Sequence, residues 1–457
     1  MTKLQRELNL KFEIGKLSVR NEILDTVIEV NDEEIDDESI SDNNDVQEHE
    51  TAQVGQVEVE QNIQNVEEEQ NVEERNVQDE PNSQVGSDQD DINTSLSSLF
   101  KRKSMCSDDE LFKKLLDSSC INLANDGSKE KFAQLLPTHI YEDLLAKCQK
   151  EKQEFESSLP PKLKKMINDI FGNLSTFIFD NTMDRILDFI DTRKAEETNK
   201  SCEAYKLLST IDAILKNMKH YKRETKLSES FYLHAFLSAL RPLLDDTRVI
   251  LKEGEPVSAA TQRMQLINEV DITYGRRVDI LVATDLDTDI DDVEICSIEF
   301  KKPNATTATL LQQQNKNIRI NGCILNDIHL FTQNTDHQLF YLDFAGKSAY
   351  IVQLFRYENY FVGHKVGNFS LISSLVELHQ LRKSVLNLYA WREFAVELSN
   401  KITLSHIEQS YKYDLVEVSD YASNNFVQSP KRNVTPVNIF LSPSNQSKRT
   451  KYMTDQS

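Results

Sequence analysis

The chain has 457 residues, enough for two or three domains. Its formal net charge of −23 is unevenly distributed: residues 21–100 contain 25 acidic side chains and one basic side chain, whereas residues 101–457 have a net charge of −2. The negative net charge of the chain therefore comes from one segment, residues 21–100. It does not exclude nucleic acid as a partner of the remainder.

The six cysteines are scattered without a Cys-x-x-Cys pair, which indicates reduced thiols and argues against a zinc module. Residues 1–20 lack the apolar core of a secretory signal, and no run approaches the roughly 18 apolar residues of a membrane span. We therefore expect an intracellular protein, in the nucleus or the cytoplasm, with no membrane partner. Basic clusters at 101–103 and 448–451 favour the nucleus.

In chain order, residues 1–105 are predicted to be a largely disordered acidic segment. Residues 30–98 contain isolated aliphatic side chains and no Phe, Tyr or Trp, so burial cannot offset the entropy lost on ordering. Residues 106–222 then show helical spacing, for example at Leu111, Leu115 and Leu116, and predict a helical region.

Residues 223–400 alternate between helix and strand patterns. A helix that begins after Ser228 and ends near Pro242 is followed by strand-like runs at 270–274, 277–284 and 293–301. A helix over 306–326, three strands at about 338–345, 348–357 and 360–366, and a final helix over about 370–400 complete the segment. This order predicts an α/β fold with helices packed on a sheet, and residues 401–457 are expected to be mostly a flexible tail.

Two of these strands carry polar residues in a pattern that suggests chemistry. Period-two alternation puts Glu299 and Lys301 on one face of their strand and apolar residues on the other. Asp279 lies between apolar neighbours on the preceding strand, so a hairpin would bring Asp279 and Glu299 together. Two such carboxylates form a hard oxygen site suited to Mg²⁺, beside which a lysine can orient an attacking water.

The same residues also fit a purely structural interpretation. Acidic side chains and lysines are common on the solvent face of an antiparallel hairpin, where an ion pair contributes about 1 kcal/mol at most. From Asp279, Glu299 and Lys301 alone, this structural interpretation stands ahead of the catalytic one.

A wider pattern resembles a known family. The sequence Gly-Arg-Arg-Val-Asp-Ile-Leu at 275–281 and the sequence Ile-Glu-Phe-Lys-Lys-Pro at 298–303 together resemble the Asp…Glu-x-Lys motif of the PD-(D/E)XK nuclease superfamily. The segment 313–321 is similar to the helix that follows this motif in nuclease-like proteins of fungal genomes. The resemblance covers about residues 223–400 and departs from the motif at Val278, where proline is usual. It implies a restriction-endonuclease-like fold, in which a mixed sheet is flanked by helices.

The resemblance also implies a metal-dependent nuclease that hydrolyses phosphodiester bonds of nucleic acid. DNA is favoured over RNA as the partner, and the sequence itself leaves the choice open. Asp279 and Glu299 would hold Mg²⁺, or Mn²⁺ in its place. Lys301 would assist the attacking water, and Glu229 would be an additional acidic catalytic residue. The side chains that would face the nucleic-acid backbone are Gln313, Gln314, Lys316 and Arg319.

These helper residues have structural explanations as well. Glu229 lies in the first turn of its predicted helix, where the helix dipole favours a carboxylate. Gln313, Lys316 and Arg319 fit the exposed face of a surface helix. The alternative function is therefore a catalytically inactive nuclease-like domain that acts as a nucleic-acid-binding or effector-type interaction module. The sequence leaves the oligomeric state open.

Overall fold

The computed structural model describes residues 88–107, 109–177, 183–221, 227–269, 274–287, 292–420 and 434–441, although the side chains of 88–95 and 411–420 are not described. All of these residues belong to one compact unit, Ser83–Ser457. The acidic stretch up to residue 87 and the basic cluster at 448–451 lie outside the described residues. Among the described helices, none combines the length with the apolar composition that crossing a bilayer requires.

The described residues form helices and strands in a mixed order. The helices are α1 (Asp88–Cys106), α2 (Glu110–Asp117), α3 (Asp126–Leu135), α4 (Thr138–Ser157), α5 (Pro161–Ser175), α6 (Met183–Glu196), α7 (Glu203–Tyr221), α8 (Glu229–Leu244), α9 (Ala259–Ile267), α10 (Thr307–Thr332) and α11 (Leu378–Asp420). The strands are β1 (Cys120–Asn122), β2 (Val249–Glu253), β3 (Val257–Ser258), β4 (Arg276–Arg277), β5 (Ile280–Thr284), β6 (Val293–Lys301), β7 (Leu339–Ala345), β8 (Ser348–Tyr357) and β9 (Tyr360–Ser370).

Seven of the strands form one sheet in the order β1-β9-β8-β7-β6-β5-β2. The β1–β9 and β6–β7 pairs are parallel, and the other neighbours are antiparallel. β3 and β4 form a separate two-stranded sheet. The predicted α/β architecture, a mixed sheet flanked by helices, is confirmed at this level.

The two faces of the central strand β6 are covered by different layers. On one face, the Phe300 ring stacks on that of Phe344 with 4.3 Å between their centroids, and both rings pack against Phe236 of α8. On the other face, Ser297 and Glu299 lie beneath α10, and Glu299 is only 2% exposed. The polar side of the predicted hairpin is therefore an interior layer rather than a solvent face.

Several element boundaries differ from the predicted ones. The strand expected at 293–301 is confirmed as β6, whereas β2 and α9 were not predicted. Of the strand expected at 270–274, residues 270–273 lie outside the described residues and Tyr274 is not in a strand. Helix α10 continues to Thr332, six residues beyond the predicted end. The six added residues include the buried Ile328 and His329.

Both ends of the described chain contain more structure than the sequence predicts. Helix α1 begins at Asp88, inside the segment expected to be largely disordered, and it buries Leu96 and Phe100. Helix α11 continues to Asp420, and residues 434–441 pack on the folded body, although 401–457 was expected to be mostly flexible. The apolar residues of these end segments are few, but they pack against residues that are distant in sequence. The Phe100 ring, for example, lies 4.9 Å from that of Tyr360.

The predicted helical region also contributes a strand. β1 pairs in parallel with β9 and forms an edge of the main sheet. Its neighbour Leu123 donates its backbone N–H to the carbonyl oxygen of Gly363 at 2.7 Å. Residues on both sides of the predicted boundary at 222 therefore share one sheet and one apolar core.

Candidate active site

Pairing of β5 with β6 brings the two motif carboxylates together. Ile280 is the register partner of Ile298, so Asp279, which directly precedes β5, lies opposite Glu299. One oxygen of Asp279, Oδ2, accepts the backbone N–H of Phe300 at 2.6 Å. This hydrogen bond fixes the half-buried Asp279 carboxylate against β6, beside the strand end that carries Glu299.

Lys301 is held by the acidic residue that was predicted on the preceding helix. Its Nζ donates to Oε1 of Glu229 at 2.9 Å, and it also donates to the carbonyl oxygen of Phe300. Glu229 opens α8, where the Ser228 hydroxyl caps the helix by accepting the N–H of Phe231 at 3.2 Å. Both roles predicted for Glu229, a first-turn residue and a site residue, are therefore compatible with its position.

Lys316 approaches the site from α10. Its Nζ donates to Oε1 of Glu299 at 2.8 Å and to the carbonyl oxygen of Arg277 at 3.3 Å. The Lys316 side chain is 41% exposed, whereas that of Glu299 is 3% exposed. Three carboxylates and two ammonium groups thus converge near the ends of β6 and α8.

Burial dominates the electrostatics of the two motif carboxylates. Desolvation raises the pKa of Asp279, although the hydrogen bond from Phe300 and the charge of Lys301 act in the opposite direction. Desolvation also raises the pKa of Glu299, against the charge of Lys316 and together with the charge of Asp279. The pKa of each of these carboxylates therefore depends on the charges of the other site residues, as expected of one shared site.

The same environment keeps Lys301 protonated. Burial alone would lower the pKa of this lysine, but its hydrogen bond with Glu229 and the charges of Glu229, Asp279 and Glu299 raise it overall. Lys301 is therefore a fixed positive charge at neutral pH, and it cannot act as a general base there.

Asp343 is a further buried carboxyl group beside the site, and the sequence analysis missed it. It lies on β7 as the parallel register partner of Glu299 and is 3% exposed. Its Oδ1 accepts from Nδ2 of Asn317 at 2.8 Å, and its Oδ2 accepts from the Tyr350 hydroxyl at 3.3 Å. The available signal was a single acidic residue inside an otherwise apolar strand.

A layer of hydrogen-bonded polar side chains lies between β6 and α10 and fixes the position of Lys316 over the sheet. The Ser297 hydroxyl donates to Oδ1 of Asn317 at 2.5 Å, and Asn321 donates to Ser297 Oγ at 2.9 Å. Gln313 donates to Asp343 at 3.4 Å, while its own Oε1 has no hydrogen-bond partner among the described residues. These contacts lock α10 in register with β6 because unpaired buried polar groups are costly.

The four residues that were predicted to contact nucleic acid differ in how far they are buried. Gln313 and Arg319 are buried, and the guanidinium group of Arg319 donates to the carbonyl oxygens of Asn315 and Phe440. Gln314 and Lys316 are only half-buried. The structure thus brings Lys316 to the carboxylates and leaves Gln313 and Arg319 without a surface that could meet a phosphate.

Asp279 and Glu299 fit a magnesium ion by their chemistry. In the described contacts each carboxylate uses one oxygen for a hydrogen bond, Oδ2 of Asp279 and Oε1 of Glu299, so the other oxygen of each can act as a ligand. No group of three or more His, Cys, Asp or Glu side chains is arranged to hold a metal ion within the described ranges. Two carboxylates are nevertheless sufficient for Mg²⁺, which keeps several waters and also binds substrate phosphates.

The buried Asp343 makes stability depend on pH. Burial, assisted by the charge of Glu299, raises the pKa of Asp343 from 3.8 to about 7. Because the folded protein binds this proton more tightly than the unfolded chain, ionisation of Asp343 lowers stability as the pH rises through that interval. We expect Asp343→Asn to gain stability relative to the wild type between these two pKa values and to keep the gain above them.

Denaturation of both proteins in EDTA, from about pH 4 to about pH 8, measures this difference. EDTA removes any effect of a bound divalent ion. A difference in unfolding free energy that is constant over the whole interval would contradict the raised pKa of Asp343.

The site as a whole offers the carboxylates of Asp279 and Glu299 as hard oxygen ligands. It also offers two ammonium groups, that of Lys301, which Glu229 holds in place, and the more exposed one of Lys316. This combination is suited to binding and polarising a phosphate ester. The chain matches no protein-family model, no curated protein and no solved structure.

Proposed function

We propose that the protein is a metal-dependent nuclease that hydrolyses phosphodiester bonds of nucleic acid. One observation carries this proposal: Asp279 and Glu299 lie opposite each other on paired strands, with the Lys301 ammonium group alongside. The resemblance to the Asp…Glu-x-Lys motif assigns the same three residues. The restriction-endonuclease-like version of the α/β fold is part of the same proposal.

Asp279 and Glu299 would hold Mg²⁺ through their second carboxylate oxygens. The bound ion would supply Lewis-acid stabilisation of the scissile phosphate and would make a bound water more acidic. The partial burial of Asp279 and the near-complete burial of Glu299 exclude competing water and strengthen charge interactions at the site.

Lys301 would offset negative charge that develops on the phosphate and would help to orient the attacking water. Glu229 acts through Lys301: their 2.9 Å hydrogen bond fixes the ammonium group in position. Glu229 is therefore a positioning residue in this proposal, and Lys301 is the residue that contacts the reacting atoms.

Lys316 would bind the substrate backbone. It now donates to Glu299, and its 41% exposure allows the flexible side chain to turn towards a phosphate when Glu299 binds the metal ion. Gln314, which is half-buried and lies two residues before Lys316 on the same helix, is the second proposed backbone contact. Gln313 and Arg319 are left out of this role because they are buried.

One observation favours the second candidate, a non-cleaving nucleic-acid-binding module. Both lysines of the site are already paired, Lys301 with Glu229 and Lys316 with Glu299, so two of the three site carboxylates are compensated without a metal ion. In such a module, nucleic acid would bind to the same surface, and EDTA would leave the binding unchanged.

The test is incubation of the purified full chain with labelled DNA and labelled RNA in Mg²⁺, in Mn²⁺ and in EDTA. We expect cleavage in either metal ion, with DNA cut faster than RNA, and no cleavage in EDTA. Lys301→Met should lower the cleavage rate about 10²-fold or more because it removes one preorganised positive charge. Lys401→Met, which removes an exposed lysine from an ion pair within α11, should cleave like the wild type.

The possible results separate the two candidates. Binding without cleavage, unchanged by EDTA, would support the module and end the enzyme proposal. Cleavage that persists equally in Lys301→Met would mean either a contaminating nuclease or a different site. Absence of both binding and cleavage would remove both candidates.

A further inference from the structure

Residues 434–441, which we call the strap, lie in a groove that binds their main chain. Asn326 uses both ends of its amide on Val437: Nδ2 donates to the Val437 carbonyl at 2.7 Å, and Oδ1 accepts its N–H at 2.9 Å. The Ser118 hydroxyl makes a similar pair of contacts with the carbonyl and N–H of Phe440, at 3.0 and 3.2 Å. These contacts fix the position of a segment that is neither helix nor strand.

Apolar side chains of the strap complete this docking. Val434, Val437 and Ile439 are buried. A Cβ atom at Gly322 of α10 would lie 2.7 Å from Cδ1 of Ile439, so any larger residue there would make the end of the Ile439 side chain shift. The groove is therefore shaped for the strap, and docking of the strap is a defined state of the folded chain.

Arg356, at the end of β8, binds the first part of the strap. Its guanidinium group donates to the Thr435 carbonyl at 3.0 Å, to the Glu358 carbonyl at 2.6 Å and to Oδ1 of Asn359 at 3.3 Å. All three acceptors are uncharged, and no carboxylate forms an ion pair with Arg356 among the described residues. A half-buried guanidinium group without a counter-ion attracts an anion.

Thr435 offers the position at which such an anion can be introduced. Its side chain is exposed between two buried valines, and its Oγ1 is three covalent bonds from the carbonyl carbon whose oxygen Arg356 binds. It is followed by Pro436. The three Ser/Thr-Pro pairs of the entire sequence, at 429–430, 435–436 and 442–443, all lie in or next to the strap. Hydroxyl groups before proline, in extended segments, are what proline-directed protein kinases modify.

We propose that Thr435 is a phosphorylation site and that Arg356 binds the resulting phosphate, which holds the strap in its groove. The juxtaposition of an exposed hydroxyl group with a guanidinium group that has no acidic partner in the described part of the chain carries this inference. It does not depend on the proposed nuclease function.

The chemistry needs an ATP-dependent, proline-directed kinase, which acts on the strap when it leaves the groove. The bond between the γ-phosphorus and the bridging oxygen of ATP breaks, and a bond from that phosphorus to Thr435 Oγ1 forms. ADP leaves with the bridging oxygen, and the hydroxyl proton passes to solvent. When the strap docks again, the phosphate dianion meets the Arg356 guanidinium group and forms charge-assisted hydrogen bonds.

The experiment uses the full chain with Ser429→Ala and Ser442→Ala, so that Thr435 is the remaining Ser/Thr-Pro site. The chain is treated with a proline-directed kinase and ATP, and phosphate on Thr435 is located by mass spectrometry. Hydrogen exchange of the Val437 and Phe440 amides is then compared with that of the unphosphorylated chain. We expect exchange to slow about tenfold or more after phosphorylation, since the added contacts are charge-assisted.

Two variants test the assignment to Arg356. In Arg356→Gln, phosphorylation should leave the exchange rates unchanged. Arg276→Gln is the matched control, because Arg276 also donates to a strap carbonyl, that of Leu441 at 2.8 Å, but at the opposite end. It should loosen the strap and still show the slowing on phosphorylation.

Three results would overturn the proposal. The first is no phosphate on Thr435 under conditions in which the wild-type chain is modified at Ser429 or Ser442. The second is unchanged or faster exchange after phosphorylation of Thr435. The third is the same slowing in Arg356→Gln as in the chain that retains Arg356.

Discussion

Glu299→Gln should abolish Mg²⁺-dependent cleavage, with a loss on the order of 10³-fold or more, while the protein remains folded. The substitution keeps the shape of the side chain and removes the charge that would bind the metal ion. It also replaces the 2.8 Å ion pair with Lys316 by, at most, a hydrogen bond to a neutral amide oxygen. Because the substitution alters a proposed metal ligand directly, we expect its loss of cleavage to exceed that of Lys301→Met.

Folding should survive Glu299→Gln for a physical reason. Burial already raises the pKa of Glu299, which shows that its charged form is costly inside the protein. A neutral amide removes that cost, and the freed Lys316 ammonium group, which is 41% exposed, can be hydrated instead. The thermal midpoint of the variant in EDTA should therefore remain close to that of the wild type.

Glu294→Gln is the matched control, because Glu294 is also a buried glutamate on β6. It is 3% exposed, and burial raises its pKa as well. Its partners are different: it accepts from the Ser258 hydroxyl at 2.6 Å and from the N–H of Ala259 at 2.5 Å, at the start of α9. Loss of these charge-assisted bonds should cost about 1.5–3 kcal/mol of stability and leave cleavage intact below the melting temperature.

The pair of variants distinguishes a catalytic carboxylate from a structural one. Cleavage rates are measured with labelled DNA at saturating Mg²⁺, and stability is measured by denaturation of the same preparations. Equal cleavage by Glu299→Gln and the wild type would contradict the assignment of Glu299 as a metal ligand. Loss of cleavage in both variants at a temperature at which both are folded would also contradict it.

Trp391→Ala should give the largest loss of stability, about 3–5 kcal/mol. Trp391 is the single tryptophan of the chain, it lies on α11 with 0% exposure, and its Nε1 donates to the Phe340 carbonyl at 3.0 Å. The substitution leaves a cavity and also strips a buried carbonyl group of its donor. Both effects lower the free energy of unfolding.

The free energy of unfolding is measured by denaturant titration followed by circular dichroism, since the variant lacks the tryptophan fluorophore. Leu404→Ala is the control on the same helix: Leu404 is 60% exposed, and its truncation should change stability by less than about 0.5 kcal/mol. A loss below about 1 kcal/mol for Trp391→Ala would show that α11 is not part of the cooperative core.

The sequence was sufficient for the central features of the site. Alternation along β6 correctly separated Phe300 from Glu299, and the expected hairpin exists as the β5–β6 pair. The pairing of Asp279 with Glu299 followed from local strand patterns, whereas Glu229 was assigned to the site by the family resemblance. These features are local because period-two alternation and first-turn positions depend on neighbouring residues.

The sequence could not show what covers the polar face of the sheet. Glu299 seemed suited to a solvent-exposed hairpin, but α10 packs over it and places Lys316 on its carboxylate. Asp343 joins the site only because β7 lies beside β6, in a parallel pairing that needs a long crossover connection. Contacts between residues this distant in sequence leave no periodic signal.

Residue patterns alone thus determined the α/β class, the strand that carries the motif and the residue types able to hold a metal ion. Tertiary structure alone decided which polar residues are buried, which ammonium group pairs with which carboxylate, and where the strap docks. The physical reason is that alternation and capping reflect the local backbone, whereas burial and charge compensation depend on elements that meet only when the chain is folded.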